Sequence, residues 1–293
     1  MNKYFFVGIG AQKAGTAWLS EYLLGHPQVA LSPLKELQFF DAGAGAALPD
    51  WWRNYYTAQL RQYAASMTSP PSVEEIKYIR DLALRLEMKF NRSRYVDYFN
   101  LLVEDQHRAL GEISPSYAVL DSSGFAAIRE TMPGAKFVFV LRDPVDRYWS
   151  QLRFKQTRLG SEAFDARARV VSALSDPAYY LRSDYGRTFE QLLPVVPAHD
   201  LCVLFYETMT KPSTSNAEIR RLTDFLELDP RPCNPERRVL ASVSVEMPEY
   251  AADEALARFA HVYDDIERRF GSRLPRRWQE RMARVPRVIS YQS

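Results

Sequence analysis

Cysteine and histidine are scarce in this chain: two cysteines, Cys202 and Cys233, and four histidines, His26, His107, His199 and His261, stand among 293 residues. No two of them sit at metal-ligand spacing, and two cysteines make no disulfide framework, so the expectation is no metal and a reducing compartment. An excess of one charge is lacking too. Thirty-eight Lys and Arg against thirty-six Asp and Glu leave a net charge of +2, which gives no electrostatic case for nucleic acid and confines any basic surface to a local patch. No apolar run approaches the roughly 18 residues of a membrane-spanning helix, so no membrane span is expected. There is no internal repeat and no low-complexity linker. With 46% hydrophobic and 25% charged residues, residues 1–293 read as a single packed domain.

What is present begins at residues 4–20, YFFVGIGAQKAGTAWLS. Tyr4, Phe5, Phe6, Val7 and Ile9 form a short apolar run rich in β-formers, and Trp18, Leu19, Tyr22 and Leu23 follow at helical spacing. The order strand, glycine loop, helix aims unpaired N–H groups and the positive end of a helix dipole at whatever the loop holds, which favours a phosphate or sulfate. Gly10 and Gly15 keep the spacing of a nucleoside-triphosphate loop, but its lysine should follow the last glycine. Thr16 stands there, and Lys13 lies inside the loop, so neither a γ-phosphate nor a metal is provided for. The plainer reading is an ordinary strand-to-helix turn.

A second segment, KFVFVLRDPVDRYWSQLRF at 136–154, reads as a buried strand ending at Arg142, a turn through Asp143 and Pro144, and a helix carrying Arg147, Ser150 and Arg153. Arginine offers a planar fork of donors for a phosphate, and a serine on the following helix adds one more. The alternative is that Arg142 pairs with Asp146 and Ser150 only packs.

Together the two segments resemble the sulfotransferases that use 3′-phosphoadenosine 5′-phosphosulfate (PAPS), and lean toward the carbohydrate and heparan-sulfate branch. The family's 5′-phosphosulfate loop corresponds to Gln12, Lys13, Ala14, Gly15, Thr16, Ala17, Trp18 and Leu19; its 3′-phosphate motif corresponds to Leu141 through Ser150 without a gap. Ala17 departs from the commoner second threonine. The resemblance implies a P-loop-like three-layer α/β fold with a central, mostly parallel sheet flanked by helices. It further implies Lys13 as the cation meeting charge on the departing phosphate, and Arg142 and Ser150 at the 3′-phosphate. Trp18 is implied either to stack on adenine or to lie in the core.

Three more segments extend the likeness. PLKELQFFD at 33–41 is similar to the segment in which the family's glutamate is taken as catalytic base, which maps to Glu36; without the resemblance, Glu36 reads as a solvated partner of Lys35. GEISPSY at 111–117 has Ile113 where heparan-type members carry an active-site lysine. LCVLFYE at 201–207 makes Tyr206 a secondary cofactor contact. The R-K-G loop of cytosolic members has no visible counterpart, and Arg237 and Arg238 are the residues offered in its place. The implied activity is sulfuryl transfer from PAPS, without a metal, to a hydroxyl or amine of a glycan or small metabolite, leaving PAP. Golgi-type members carry a membrane anchor, so the expectation from residues 1–10 is a cytoplasmic, bacterial enzyme.

The remaining pattern places strands near 4–9, 28–31 and 201–206, and helices at 16–25, 73–90, 94–104, 123–132, 185–193, 218–228 and 252–270. Alternation of strand and helix predicts a mostly parallel sheet. Residues 42–71 read as irregular. Trp51, Trp52, Tyr55 and Tyr56 there are either an acceptor-binding excursion or the anchor of a helix to the core. Arg276, Arg277, Arg281 and Arg284 read as a solvated basic patch open to an anionic acceptor. Two other classes compete: a P-loop nucleotide kinase, which needs a lysine after Gly15 and an acid at a strand end, and a catalytically silent PAP-binding protein.

Overall fold

The computed structural model describes residues 3–41, 51–159, 167–236 and 245–285. Among them five strands, β1 (Tyr4–Gly10), β2 (Val29–Leu31), β3 (Ala109–Ile113), β4 (Lys136–Leu141) and β5 (Leu201–Phe205), form one sheet. Their order is β2-β3-β1-β4-β5 and every pairing is parallel. A parallel sheet is covered on both faces, so its strands read as unbroken apolar runs; in β1, Phe6, Val7 and Ile9 are fully buried, as are Phe137, Phe139 and Leu141 in β4.

The helices are α1 (Thr16–Leu24), α2 (Trp51–Ser66), α3 (Val73–Met88), α4 (Arg92–Leu102), α5 (Ser122–Thr131), α6 (Pro144–Leu159), α7 (Arg167–Ser175), α8 (Pro177–Tyr180), α9 (Tyr185–Leu192), α10 (Tyr206–Met209), α11 (Ser215–Phe225), α12 (Glu249–Phe270) and α13 (Arg276–Met282). Several start where a side chain takes the first free N–H groups. Ser72 and Glu75 form a reciprocal capping box on α3, Asp121 accepts from Gly124 N at α5, and Asp184 accepts from Arg187 N at α9. Gly271, at φ 48°, ends α12.

The structure corrects the reading of residues 42–71. Residues 51–66 are the helix α2, and of its aromatic cluster Trp52 and Tyr56, one turn apart, are each 2% exposed and anchor it, while Tyr55 stays open. The two aromatic stripes sit side by side, 51 with 55 and 52 with 56, and so blur the apolar period that marks a helix. Residues 42–50 lie outside the described residues.

Parallel strands all point one way, so their C-terminal ends gather the loops after β1, β2, β3, β4 and β5 at one edge, the place where open α/β sheets hold ligands. The close fit of β3 to β1 fixes that edge. Gly111 pairs with Phe6, and a Cβ on Gly111 would lie 2.0 Å from the Phe6 carbonyl oxygen. Gly111→Ala is therefore expected to part the two central strands and leave little folded protein, read as loss of the cooperative thermal transition; the same substitution at exposed Gly134, at φ 76°, meets no atom within 4 Å and costs only left-handed strain of about 1–3 kcal/mol, so the transition is kept at a lower midpoint.

Candidate active site

The loop after β1 closes on Gly15, which caps α1 at φ 86° and offers no side chain to the helix's first N–H groups. Those groups have no intrahelical acceptor and carry the positive end of the helix dipole. Tyr206 explains why Gly15 must be small: a Cβ there would stand 2.7 Å from the tyrosine ring. The other face of the Tyr206 ring story is Arg142, whose guanidinium lies 4.4 Å from the ring centroid. Arg142 in turn donates through Nη1 to the Lys13 carbonyl at 2.8 Å. The ends of β1, β4 and β5 thus bring Lys13, Gly15, Arg142 and Tyr206 into one set of contacts.

Lys13 has a left-handed backbone, φ 71°, and its ammonium lies 4.0 Å from the Phe154 ring centroid. Burial first, then the charges of Arg142, Lys35, Arg153 and Arg147, push its pKa down to about 8. Arg147 sits behind the loop, fully buried. It donates to Ser183 Oγ, to Gln151 Oε1 at 2.6 Å, to the Tyr179 carbonyl at 2.8 Å and to the Gln12 carbonyl at 3.4 Å. Its hydrogen bonds therefore go to neutral oxygens, and burial lowers its pKa to about 10. Ala14 and Thr16 are buried, and Gln12 and Ala17 half-buried, along the same loop.

The segment after β2 brings Glu36 to the same edge. Glu36 is half-buried with φ 63°; its N–H donates to the Ile113 carbonyl at 3.2 Å and its carbonyl accepts from Tyr56 Oη at 2.6 Å. Phe39 and Phe40 turn into the core against Tyr95. Burial lowers the pKa of Lys35, and the Glu36 charge opposes that shift. Arg182, in the turn before α9, faces the Glu36 and Asp41 carboxylates: burial lowers its pKa and those charges resist. Its Nε has no hydrogen-bond partner.

Ser150 is 5% exposed on α6, two turns beyond Arg142. On the same helix Asp146, Trp149 and Arg153 line a cavity of about 710 Å³ that Arg277, Arg281 and Arg284 close from the other side. Asp146 does not pair with Arg142. It accepts from Arg277 at 2.9 and 3.0 Å and from Arg281 at 3.0 Å. The terminal basic residues are thus only partly the solvated patch their sequence predicts, because Arg281 is 6% exposed. Trp18 stands apart from the cation cluster. It is 7% exposed, stacks within 3° of parallel on Tyr22, and donates its indole N–H to the Asn234 carbonyl at 2.8 Å. With Tyr22, His26, Arg231 and Cys233 it lines a second cavity, of about 220 Å³.

Ile113 is 3% exposed and packs on Gly8. Arg237 and Arg238 lie outside the described residues. Arg182 and the buried role of Arg147 escape sequence reading. Arg147 carries one faint signal, a glutamine four residues on along the same helix face, whereas Arg182 has none. Among the described residues no group of three or more His, Cys, Asp or Glu could hold a metal, and no helix is long and apolar enough to cross a membrane.

The family described as the sulfotransferase family matches residues 6–232. A curated relative, the membrane-associated sulfotransferase kil1 of Dictyostelium discoideum, is 27% identical over 149 residues, which are 51% of this chain and 22% of that protein. The chain therefore aligns with under a quarter of that relative's length. A solved sulfotransferase from Alicyclobacillus acidocaldarius superposes with a TM-score of 0.64 at 22% identity, over 95% of this chain and 99% of that one. That likeness shows the P-loop-like α/β fold.

Gly15→Ala tests how tightly the loop is built. A Cβ would meet Tyr206 and force a left-handed alanine, a strain of about 1–3 kcal/mol. A fall in the thermal midpoint is expected, and a smaller one when the substitution is made in a Tyr206→Ala background, where the ring clash is gone and only the Met209 methyl, 3.0 Å from the added Cβ, remains.

Proposed function

The chain belongs to the sulfotransferase family, and from that premise we propose that it moves a sulfuryl group from PAPS to a hydroxyl or amine of a glycan or small-metabolite acceptor. The observation that carries this reading is the gathering of cations around the Lys13 loop. Arg142, Lys35, Arg153 and Arg147 all act on Lys13 strongly enough to help push it down to about 8. A donor bearing a phosphosulfate and a second phosphate is the kind of polyanion that relieves such repulsion.

The residues fit that donor. The N–H groups of Gly15, Thr16 and Ala17 and the Lys13 ammonium would hold the 5′-phosphosulfate at the start of α1, with Gln12 and Ala14 shaping the loop. Arg142 and Ser150 would take the 3′-phosphate, and Tyr206, packed between Gly15 and Arg142, would keep the two sites in register. The cavity beside Trp18 and Tyr22 would receive the adenine. PAPS supplies the activated sulfur; the chain supplies a base and a counter-charge. Glu36 takes the acceptor's proton as the acceptor atom bonds to sulfur and the sulfur–oxygen bond to phosphate breaks. A base so placed contributes about 10²–10⁴-fold. Lys13 meets the charge that collects on the phosphate oxygen, a preorganised interaction of roughly 3–4 kcal/mol.

A kinase reading has less to stand on, because Thr16 occupies the position of its lysine and β4 ends in Arg142 rather than an acid. Calorimetric titration with PAP, against ATP with Mg²⁺, decides: tight PAP binding with negligible ATP binding is expected, and a preference for ATP would return the chain to the kinase class. Lys13→Ala should lower both PAP affinity and transfer, whereas Glu36→Gln should lose transfer and keep PAP affinity. A turnover-competent Glu36→Gln would remove it as the base.

The protonation of Lys13 gives PAP binding a pH dependence. The charged amine is the binding form, so affinity should hold below pH 8 and decline as pH rises through about 8, with PAP itself extending the plateau by stabilising the ammonium. Lys13→Ala should flatten that decline; an unchanged inflection in the variant would assign it to another group.

A further inference from the structure

We infer that Glu112, acting with Arg85, positions the Glu36 loop: the pair grips the backbone of residues 37–40 from two sides and so sets where the Glu36 carboxylate stands. The catalytic half of this inference rests on the reading of Glu36 as the base.

The loop needs such a grip. Glu36 and Gln38 both take left-handed backbone conformations, φ 63° and 51°, which L side chains adopt rarely and only where their surroundings enforce it. Every backbone N–H from 38 to 40 leads to Glu112. Gln38 N–H donates to Ser114 Oγ at 3.1 Å, and Ser114 donates on to Glu112 Oε2 at 2.5 Å. Phe39 N–H donates to Tyr117 Oη at 2.8 Å, with Phe40 N–H more distant at 3.4 Å, and Tyr117 donates on to Glu112 Oε1 at 3.0 Å. Tyr95 adds a third hydroxyl at 2.6 Å.

The direction of these bonds is what requires a carboxylate. An ionised Glu112 accepts only, so each hydroxyl must turn its proton toward it and leave its lone pairs for the loop N–H groups. Glu112, Ser114, Tyr95 and Tyr117 are all buried. Burial pushes the Glu112 carboxyl up, while the three hydroxyl donors and the Arg85 charge hold it back. Carbonyls on the other side of the loop go to Arg85, itself fully buried. Its Nε donates to the Leu37 carbonyl at 2.7 Å and its Nη2 to the Gln38 carbonyl at 3.3 Å. Trp52 and Tyr56 of α2 cover its guanidinium, centroids 5.1 and 5.0 Å away, and Tyr56 also holds the Glu36 carbonyl. Positive and negative charge thus act on the catalytic loop through its peptide groups and not through direct contact with each other.

Glu112→Gln keeps the volume but puts an amide donor where a hydroxyl now donates, so one relay must reverse. The test follows backbone amide exchange in the full chain, together with PAP release from PAPS by water, which yields PAP and sulfate. Exchange at Gln38 and Phe39 should rise by about fivefold, the factor for one net hydrogen bond of about 1 kcal/mol, with β1 amides unchanged. Turnover should fall with PAP affinity kept, a split that general destabilisation would not give. Ser114→Ala should release Gln38 alone and Tyr117→Phe should release Phe39, and these two variants decide the matter if Glu112→Gln does not fold. Wild-type exchange at both amides in the folded variants would overturn the inference, as would PAP affinity falling in step with turnover. A wild-type protein that does not bind PAP would sink the sulfuryl-transfer reading, and amide exchange would still decide the positioning.

Discussion

Arg142 and Arg147 meet at the C-terminal edge of the sheet with neutral oxygens as their hydrogen-bond partners, beside Lys13, whose ammonium lies over the Phe154 ring. Arg142 donates to the Lys13 carbonyl and Arg147 to the Gln12 and Tyr179 carbonyls. Such bonds satisfy the donors without cancelling the charge, and buried charge without a counter-charge is costly. The imbalance is visible in the depressed pKa values of Lys13 and Arg147. It is tolerable only because the rest of the edge is rigid, and because an anionic ligand would cancel it.

That rigidity comes from parts of the chain far apart in sequence. The turn that aims Arg142 is fixed by the C-terminal helices. Asp143 N–H donates to Glu207, whose other oxygen accepts from Trp278, and Asp143 itself accepts from Tyr263. Burial, then the neighbouring Asp146 charge, pushes Asp143 up to about 7, while Arg277 and Arg281 are spent on Asp146. Because these arginines hold Asp146, Arg142 is left to the loop after β1, where it donates to the Lys13 carbonyl. Trp278 packs on Tyr185, Phe205 and Tyr263, so α13 joins the core and the turn after β4 in one step.

The opposite flank carries the same logic with reversed signs. There a buried carboxylate, Glu112, and a buried guanidinium, Arg85, both spend their hydrogen bonds around one loop. The helix α2, for which the sequence left open an acceptor-binding excursion or a helix anchored to the core, is the cover of that loop: Tyr56 and Trp52 shield Arg85, and Tyr56 reaches the Glu36 carbonyl. Its aromatics thereby hold the Glu36 segment from behind, while Tyr55 remains on the open side.

Sequence by itself determined what depends on neighbours along the chain. Gly10 and Gly15, the apolar runs at 4–9 and 137–141, and the Arg142–Ser150 spacing were sufficient to read strand, loop and helix, because an N–H at a helix start and a glycine at positive φ are local facts. They also sufficed for the family and its fold. Tertiary structure decided the pairings. Asp146 meets Arg277 and Arg281, more than 130 residues away, where local spacing offers Arg142. Arg147 proves buried without a carboxylate partner, and the Arg182 charge acts with Asp41 and Glu36 from a turn with no sequence signal. Trp18 turns its N–H to Asn234. These choices follow from the strand order β2-β3-β1-β4-β5, which sets β1 between β3 and β4 and so brings the loops bearing Lys13, Ser114 and Arg142 together; no run of consecutive residues contains that order.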